Sequence, residues 1–378
     1  AYQADARAGA ESRPGAPGAS STDPESPASV RGNGPFQVAV SSPERHERSS
    51  RPGPNRRPVN LAEVHPGGKM GDAIVVAGLT KRYETLTAVD RIDFAVPEGK
   101  VFAFLGPNGA GKTTTVEILE GLRQRTDGEV TVLGLDPWAD GTELHHQIGV
   151  IPQEFRFFEK ITPAEAIQYY ATLFGVRVDV PEMLARVALS DKADARFDTL
   201  SGGQKQKLGL ALALVPSPRI CFLDEPTTGL DPHARRAIWE VIRKLRNDGR
   251  TVFLTTHYLE EAELLADQVG IIHQGKIIAR GTPSEIIRQY GRPERLAIEG
   301  PPSLGAYLKS RLDRPVSVVD GHVEVQMRDK SDALAVLKAV EESGLPWTGF
   351  ATVQDTLEDV FVGLVGKMDE GVVQAGSS

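Results

Sequence analysis

The sequence is short of cysteine, of long hydrophobic runs and of positive charge, and each shortage excludes a class of protein. Its 378 residues include a single cysteine, Cys221, which excludes a disulfide-stabilised scaffold and favours a reducing compartment. No apolar run approaches the roughly 18 residues of a membrane-spanning helix, and no signal-peptide pattern opens the chain. The formal net charge is −8, whereas a nucleic-acid-binding protein usually presents a basic face. These features predict a cytosolic protein without a nucleic-acid partner.

The N-terminal segment is also short of side chains that could form a core. Residues 1–69 are rich in Pro, Gly, Ser, Ala and Arg, and their scattered apolar residues are too few to offset the entropy lost on ordering. We therefore expect a disordered extension, and Met70, directly before the first strand pattern, is a candidate start. Residues 369–378 are expected to form a disordered tail. A chain of 378 residues suggests about two domains.

The most informative feature that is present is a glycine-rich segment after the apolar run Val101–Leu105. It consists of Gly106, Pro107, Asn108, Gly109, Ala110, Gly111, Lys112, Thr113 and Thr114. This is a P-loop: backbone N–H groups converge on phosphate, Lys112 reaches the outer phosphates, and the Thr113 hydroxyl can ligate Mg²⁺. Apolar residues at helical spacing follow, so the phosphates would lie at a helix N-terminus that favours negative charge. Nucleotide binding is the first functional prediction, although a P-loop also occurs in kinases, GTPases and helicases.

A second helix start with the same preference for anions lies further along the chain. Leu200, Ser201, Gly202, Gly203 and Gln204 precede a long apolar run that Pro216 closes. The length of the run favours a helix whose N-terminus could bind another phosphate. One nucleotide at the P-loop has no obvious need of it.

Acidic and imidazole side chains follow two later strand patterns. Asp224 and Glu225 end the apolar strand that starts near Arg219, and His257 ends the strand Thr251–Thr256. Asp224 suits a hold on Mg²⁺, and Glu225 suits a base that orients the attacking water. Two acids after a strand are commonly solvated, and a lone histidine there is usually structural. After a P-loop, we favour catalytic roles for these side chains.

The motifs of this chain, taken in order, closely resemble those of the nucleotide-binding subunit of an ABC transporter. They are the P-loop, Gln153, Leu200–Gln204, Asp224 with Glu225, Gly229–Asp231 and His257. The resemblance covers roughly residues 72–290 and implies an α/β P-loop NTPase cassette. Such a cassette has a RecA-like core, an antiparallel β subdomain and a helical insert, here at about residues 156–215. The resemblance also implies that two subunits, here as a homodimer, pack head to tail around ATP and Mg²⁺.

The roles of individual residues are carried over by position. The resemblance implies that Tyr83 stacks on adenine, that Gln153 senses Mg²⁺ and water and couples to the membrane partner, and that His257 contacts the γ-phosphate. Thr113, Gln153 and Asp224 would hold the metal, and Glu225 would act as the catalytic base. The residues expected to reach the nucleotide of the other subunit are Ser201, Gly202, Gly203, Gln204 and Asp231.

The C-terminal region predicts a second domain and a direction of transport. Residues 293–368 read as strand, helix, two strands around Asp320 and Gly321, helix, strand and helix, which is compatible with a small ferredoxin-like α+β domain. The segment Thr356–Phe361 looks like the closing segment of exporter ATP-binding subunits similar to the daunorubicin-resistance type. We therefore expect an ATPase at the cytoplasmic face of the membrane that powers a separately encoded permease, with export of drug-like, antibiotic or lipid substrates favoured over import.

A P-loop also allows two functions other than transport. A soluble ABC ATPase acting on ribosomes or DNA normally has two cassettes in one chain, or a long coiled coil between the P-loop and LSGGQ, and neither pattern is present. A regulatory GTPase is disfavoured because no Asn-Lys-x-Asp segment occurs. Association with membranes only in the presence of a permease would distinguish transport from both.

Three phenylalanines close behind Gln153 allow two interpretations. One or more of Phe155, Phe157 and Phe158 could help form the groove for a permease helix, because exposed aromatic side chains are favoured interface anchors. Burial within the helical insert explains the same pattern equally well.

Deletion of residues 1–69 is expected to leave ATP hydrolysis intact, since the segment has no core-forming pattern and precedes the first strand. The measurement is the ATPase rate of the truncated protein beside the full chain. A truncation that is insoluble or does not bind nucleotide would contradict this expectation.

Overall fold

A small antiparallel sheet begins the part of the chain that the structure describes. The computed structural model describes residues 71–319, 321–329 and 331–375, so the expectations for residues 1–69, Met70 and Asp320 lie outside it. Strand β1 (Asp72–Tyr83) pairs with β2 (Leu86–Pro97) on one side and with β4 (Asp127–Val132) on the other. The hairpin between β1 and β2 places Tyr83 at a strand end.

The second sheet carries most of the residues predicted to be functional. Its strands are β3 (Val101–Leu105), β5 (Ile148–Ile151), β6 (Ile220–Asp224), β7 (Thr251–Thr256), β8 (Gln268–His273) and β9 (Lys276–Gly281). They lie in the order β5-β6-β7-β3-β8-β9, and all neighbours are parallel except β8 and β9. The carboxyl ends of parallel strands share one edge of a sheet, so the segments after β3, β5, β6 and β7 meet there.

Phenylalanine rings join the two sheets. Phe94 of β2 stacks on Phe102 of β3, with ring centroids 5.4 Å apart, and Phe102 stacks on Phe253 of β7 at the same distance. These three side chains are fully buried. Because the interior is closely packed, the antiparallel sheet and its Tyr83 are held at a defined position beside the parallel sheet.

Helices cover the parallel sheet and form the insert. They are α1 (Lys112–Leu119), α2 (Gly141–His145), α3 (Pro163–Phe174), α4 (Val180–Arg186), α5 (Gly202–Leu214), α6 (Pro232–Asn247), α7 (Leu259–Leu265) and α8 (Pro283–Tyr290). A capping box opens α3, since the Thr162 hydroxyl accepts from the Glu165 N–H and the Glu165 carboxylate accepts from the Thr162 N–H. Among the residues described here, no helix is long and apolar enough to cross a bilayer.

The C-terminal region forms its own sheet and core. Its elements are β10 (Arg295–Glu299), α9 (Pro302–Arg311), β11 (Val316–Val319), β12 (His322–Gln326), α10 (Asp332–Glu342), β13 (Gly349–Val353) and α11 (Leu357–Ala375). The strands are antiparallel in the order β11-β12-β10-β13, which is the ferredoxin-like arrangement. Helix α11 returns to the cassette, where Leu357 and Val360 pack in one cluster with Ile286 and Ile287 of α8. This helix runs to Ala375 and so includes residues 369–375 of the segment expected to be a tail, whereas residues 376–378 lie outside the described residues.

Candidate nucleotide site

A cavity of about 380 Å³ lies where the two sheets meet. The antiparallel sheet contributes Tyr83, Leu86 and Ala88, and the loops after β5 and β6 contribute Gln153 and Glu225. The remaining wall is the P-loop, through Pro107, Asn108, Gly109, Gly111, Lys112, Thr113 and Thr114. The structure therefore brings together residues that are more than a hundred positions apart in the chain.

The P-loop conformation requires glycine at two positions. A Cβ atom at Gly106 would lie 2.3 Å from the Ile272 carbonyl oxygen, and one at Gly111 would lie 2.5 Å from the Ala88 carbonyl oxygen. Gly111 also has φ 109°, in the left-handed region that side chains disfavour. Helix α1 starts directly after it, and no side chain of the described residues caps that start. Its first N–H groups are therefore available to an anion.

The Lys112 side chain is buried against the backbone of the P-loop. Its Nζ donates to the carbonyl oxygens of Gly106, at 2.8 Å, and Pro107, at 3.3 Å. The same ammonium lies 3.7 Å from Oε1 of Glu225. The Lys112 ammonium, which the sequence analysis predicts to bind the outer phosphates, thus lies between the P-loop carbonyls and Glu225, the predicted base.

The predicted catalytic residues meet at one oxygen atom. Oε2 of Glu225 accepts a hydrogen bond from Nε2 of Gln153 at 3.1 Å and lies 3.1 Å from Nδ1 of His257. An ionised carboxylate only accepts, so Nδ1 of His257 carries the hydrogen in this arrangement. The Thr228 hydroxyl donates to the same oxygen at 3.1 Å. Sequence reasoning missed Thr228, for which the only signal was its position three residues after Glu225.

Backbone contacts hold Glu225 in an unusual conformation. Its φ is 46°, and its N–H donates to both the carbonyl and the hydroxyl oxygen of Thr255, each at 3.0 Å. Positive φ is uncommon outside glycine and persists where surrounding contacts determine it. Hydrogen bonds to Thr255 of strand β7 therefore fix the backbone of Glu225 directly after strand β6, and with it the orientation of the Glu225 side chain.

Of the three predicted metal ligands, Thr113 and Gln153 line the cavity, and Asp224 directly precedes Glu225, which also lines it. Burial raises the pKa of Asp224, and the neighbouring Glu225 adds to the rise, while a hydrogen bond from the Thr255 hydroxyl opposes it. A carboxyl whose charge is disfavoured in this way gains from a nearby cation. Mg²⁺ typically binds through one or two protein oxygens together with phosphate and water, and the side chains of Thr113 and Gln153 each carry such an oxygen.

Tyr83 lines the cavity beside the P-loop, and two cations that were not predicted lie near its ring. Nζ of Lys81 lies 5.0 Å from the ring centroid, and Cζ of Arg123 lies 5.5 Å from it. Both are within the range of cation–π attraction. Arg123 follows α1, so the ring is held by a residue that is close in sequence to the P-loop.

We expect Tyr83→Ala to raise the KM for ATP by about tenfold with little change in kcat, because stacking on a base contributes binding away from the reacting phosphate. Steady-state ATPase kinetics measure both constants. Tyr83→Phe keeps the ring and serves as the matched control. Equal losses for the two variants would assign the effect to the hydroxyl and not to stacking.

The residues predicted to contact a second nucleotide lie at two other helix starts. Ser201 and Gln204 form a capping box at α5, and Asp231 caps α6 by accepting from the N–H groups of His233 and Ala234. A Cβ atom at Gly203 would lie 2.8 Å from Cβ of Ala234, so the two helix starts are in close contact. None of the residues that line the described cavity belongs to 201–204, and Asp231 is not among them either.

Glu120, at the end of α1, is a buried acid that sequence reasoning did not single out. Burial raises the pKa of Glu120 from its ordinary value of 4.5 to about 8, and Asp224 and Glu117 add to the rise. A raised folded-state pKa means that the native state binds the proton more tightly. The resulting contribution to the free energy of unfolding is therefore present at low pH and is lost as pH rises through about 8.

Glu120→Gln should reduce the loss of stability between pH 6 and pH 8 by up to about 1.4 kcal/mol per pH unit. Chemical denaturation of the nucleotide-free protein and of this variant at both pH values measures it. Parallel pH dependences in the two proteins would contradict the prediction.

Comparisons with known proteins agree with a nucleotide site, because the similar proteins are ATP-binding proteins. Residues 89–228 match the family model described as ABC transporter. The chain is 36% identical over 315 residues to Nod factor export ATP-binding protein I of Ralstonia nicotianae, covering 81% of this chain and 98% of the relative. It is 34% identical over 303 residues to a daunorubicin resistance ATP-binding protein of Streptomyces coeruleorubidus, covering 78% and 96%.

Solved structures agree with this similarity. An ATP-binding subunit of an ABC transporter superposes with a TM-score of 0.53 at 29% identity and covers 58% of this chain and 93% of its own. An ATP-binding cassette in a dimeric post-hydrolysis state with ADP and Pi superposes with a TM-score of 0.50 at 25% identity, covering 55% of this chain and 98% of its own.

Proposed function

Since the chain belongs to the family of ABC transporter ATP-binding subunits, we propose that it hydrolyses ATP with Mg²⁺ to power a separate membrane permease. The observation that carries this proposal is the meeting of Gln153, Glu225 and His257 opposite the P-loop. A site built only for nucleotide binding would not need a carboxylate base with oriented neighbours. The test is ATP hydrolysis by the purified chain and its loss in the Glu225 variant described below.

Different residues have different roles in the proposed hydrolysis of ATP. The N–H groups at the start of α1 and the ammonium of Lys112 bind the phosphates, and Lys112 exchanges its contact with Glu225 for the outer phosphates. The freed Glu225 carboxylate accepts a proton from the attacking water, and His257 lies where it can contact the γ-phosphate. Thr113, Gln153 and Asp224 would hold Mg²⁺, which neutralises charge on the phosphates when it is bound.

Two copies of the chain complete each site in this proposal. The cavity of one chain lacks Ser201, Gly203 and Asp231, and the start of α5 carries Gly202 and Gly203, whose N–H groups the capping box does not use. A head-to-tail homodimer would place these residues on the nucleotide of the other copy. The dimeric ADP-bound cassette among the similar solved structures supports such an assembly.

Export at the cytoplasmic face of a membrane is the direction we propose. The relatives are named for Nod factor export and daunorubicin resistance, and they are similar over almost their whole length. An amphipathic small molecule of the drug, antibiotic or lipid type is therefore the proposed substrate class, with the transport path in the permease. Co-expression tests the assignment: the chain should enter the membrane fraction only with its permease, whereas binding to ribosomes or DNA would favour the non-transport alternative.

The structure separates the three phenylalanines behind Gln153. Phe155 and Phe157 pack against the core of the helical insert, whereas Phe158 is 57% exposed. Phe158 meets Tyr169 of α3 edge to face, and Tyr169 is itself 49% exposed. We therefore assign the permease contact to Phe158 and Tyr169, and the stability of the insert to Phe155 and Phe157.

Phe158→Ala is expected to weaken co-purification with the permease without lowering the melting temperature, because its ring is mostly in solvent. Phe157→Ala is the matched control and should cost about 2 kcal/mol of stability through lost packing. If Phe158→Ala leaves permease binding unchanged, the exposed pair is not the interface.

A further inference from the structure

The ring of Tyr258 lies against the imidazole of His257 and has no part in the reaction described so far. The two ring centroids are 4.2 Å apart. The Tyr258 N–H donates to the Thr256 hydroxyl at 2.9 Å, so a hydrogen-bonded turn encloses His257. The His257 side chain is 40% exposed, and its Nδ1 lies 3.1 Å from Glu225. The terminal torsion of histidine is broad, so a neighbouring ring restricts an orientation that one polar contact leaves open.

Tyr258 occupies a position where other residue types would stabilise the local structure better. It is the N-cap residue of α7, and its side chain makes no capping hydrogen bond. Ser, Thr, Asp and Asn are preferred at an N-cap because a side-chain oxygen can accept from an otherwise unpaired N–H group. Positions at which the residue conflicts with its local structure are expected at functional sites. The contact with His257 is a role that explains why a tyrosine stands here.

Arg235 contacts the same ring from another helix. Its Cζ lies 5.0 Å from the ring centroid of Tyr258, within the range of cation–π attraction. The Nε of Arg235 is shielded from solvent and has no hydrogen-bond partner in the described part of the chain. Such a buried N–H group is costly, and attraction to an aromatic ring offsets part of the cost. Arg235 lies in the first turn of α6, where its backbone N–H donates to the Asp231 carbonyl oxygen at 2.9 Å.

We propose that Tyr258 is a positioning residue that fixes the orientation of the His257 imidazole, and that Arg235 holds the Tyr258 ring in place. Side-chain contacts then run from the first turn of α6, which Asp231 caps, through Arg235 and Tyr258 to His257. The helix start predicted to face the second subunit is thereby connected to the predicted γ-phosphate contact. This inference rests on the proposed ATPase function and adds no contact with ATP.

Tyr258→Ser separates positioning from stability, because serine lacks the ring but can cap α7. We expect kcat to fall by about fivefold to tenfold, with the KM for ATP within about twofold, since His257 acts on the reacting phosphate. The melting temperature should not fall. Tyr258→Phe keeps the ring and should retain most of kcat. A parental kcat in Tyr258→Ser, or equal losses of kcat in both variants, would overturn the inference.

Arg235→Met tests the support of the ring, because methionine keeps an apolar contact but removes the cation. Its kcat should fall by about twofold to fivefold, as expected for the loss of one cation–π contact, and Arg235→Lys should lose less. Since Arg235 acts through Tyr258, adding Arg235→Met to Tyr258→Ser should lower kcat no further. If Tyr258→Ser lowers the melting temperature, the Arg235 variants decide, and a parental kcat in Arg235→Met overturns the inference.

A second readout does not depend on turnover. The NMR signal of the C–H group between the two ring nitrogens of His257 is assigned by its absence in His257→Ala. This signal should move in Tyr258→Ser and in Arg235→Met and stay near its parental position in Tyr258→Phe. An unmoved signal in Arg235→Met would contradict the support by Arg235.

The outcomes also separate this inference from the proposed function. A parent that does not hydrolyse ATP would overturn the proposed function and this inference with it. An active parent that Tyr258→Ser and Arg235→Met match in kcat would overturn this inference alone.

Discussion

Glu225→Gln is expected to bind ATP, bring two subunits together and then fail to cleave the nucleotide. Glutamine keeps the shape of the side chain, and its carbonyl oxygen can still accept from Gln153 or Thr228. The substitution removes the negative charge beside Lys112 and the base that takes a proton from water. The hydrolysis rate should fall by about a hundredfold to ten-thousandfold, which is the usual contribution of a positioned base.

Static light scattering of the isolated chain with ATP and Mg²⁺ measures the long-lived dimer. The parental protein under the same conditions is the control, because it should return to monomers as ATP is consumed. A variant that stays monomeric at saturating ATP, or that hydrolyses ATP at the parental rate, would refute the closed-dimer mechanism for the isolated subunit. A dimer that forms only with the permease would retain the mechanism and assign the missing association energy to the membrane partner.

Lys112→Ala should act one step earlier and weaken nucleotide binding itself. The ammonium of Lys112 is the cation that lies between the P-loop carbonyls and Glu225, and charge-assisted contacts to phosphate are among the strongest hydrogen bonds. Its loss also leaves the Glu225 carboxylate without a positive neighbour where the γ-phosphate would bind, which adds repulsion. We expect the affinity for ATP to fall by at least about tenfold and no ATP-dependent dimer to accumulate.

In Lys112→Ala, the lost contact to phosphate and the repulsion by Glu225 can be separated by isothermal titration. ATP is titrated into the single variant and into the double variant that also carries Glu225→Gln. Partial recovery in the double variant would assign part of the loss to repulsion by Glu225. The melting temperature without nucleotide is the control for folding, since Lys112 is itself buried. Parental affinity in Lys112→Ala would mean that the backbone N–H groups alone hold the phosphates.

The local features of the site could be predicted because each depends on neighbours in sequence. Gly106 to Thr114 specify a P-loop through backbone freedom and one lysine, and the capping boxes at Thr162 and Ser201 follow from side chains three residues apart. Strand ends at Asp224 and Thr256 are marked by the change from apolar to polar residues. Such signals need no knowledge of the rest of the chain.

The sequence by itself therefore determined that this protein has a P-loop cassette, a helical insert and a C-terminal α+β domain, together with the residues that could do the chemistry. Only the tertiary structure decided how these residues meet. Gln153, Glu225 and His257 reach one oxygen because β5, β6 and β7 are neighbours in the sheet while β3 lies beyond β7, an order that the chain order does not reveal. The cations beside Tyr83, the exposure of Phe158 and the contact of Arg235 with Tyr258 arise in the same way. Each depends on contacts between distant segments, whose free energy comes from packing and burial and leaves no periodic pattern in the residues themselves.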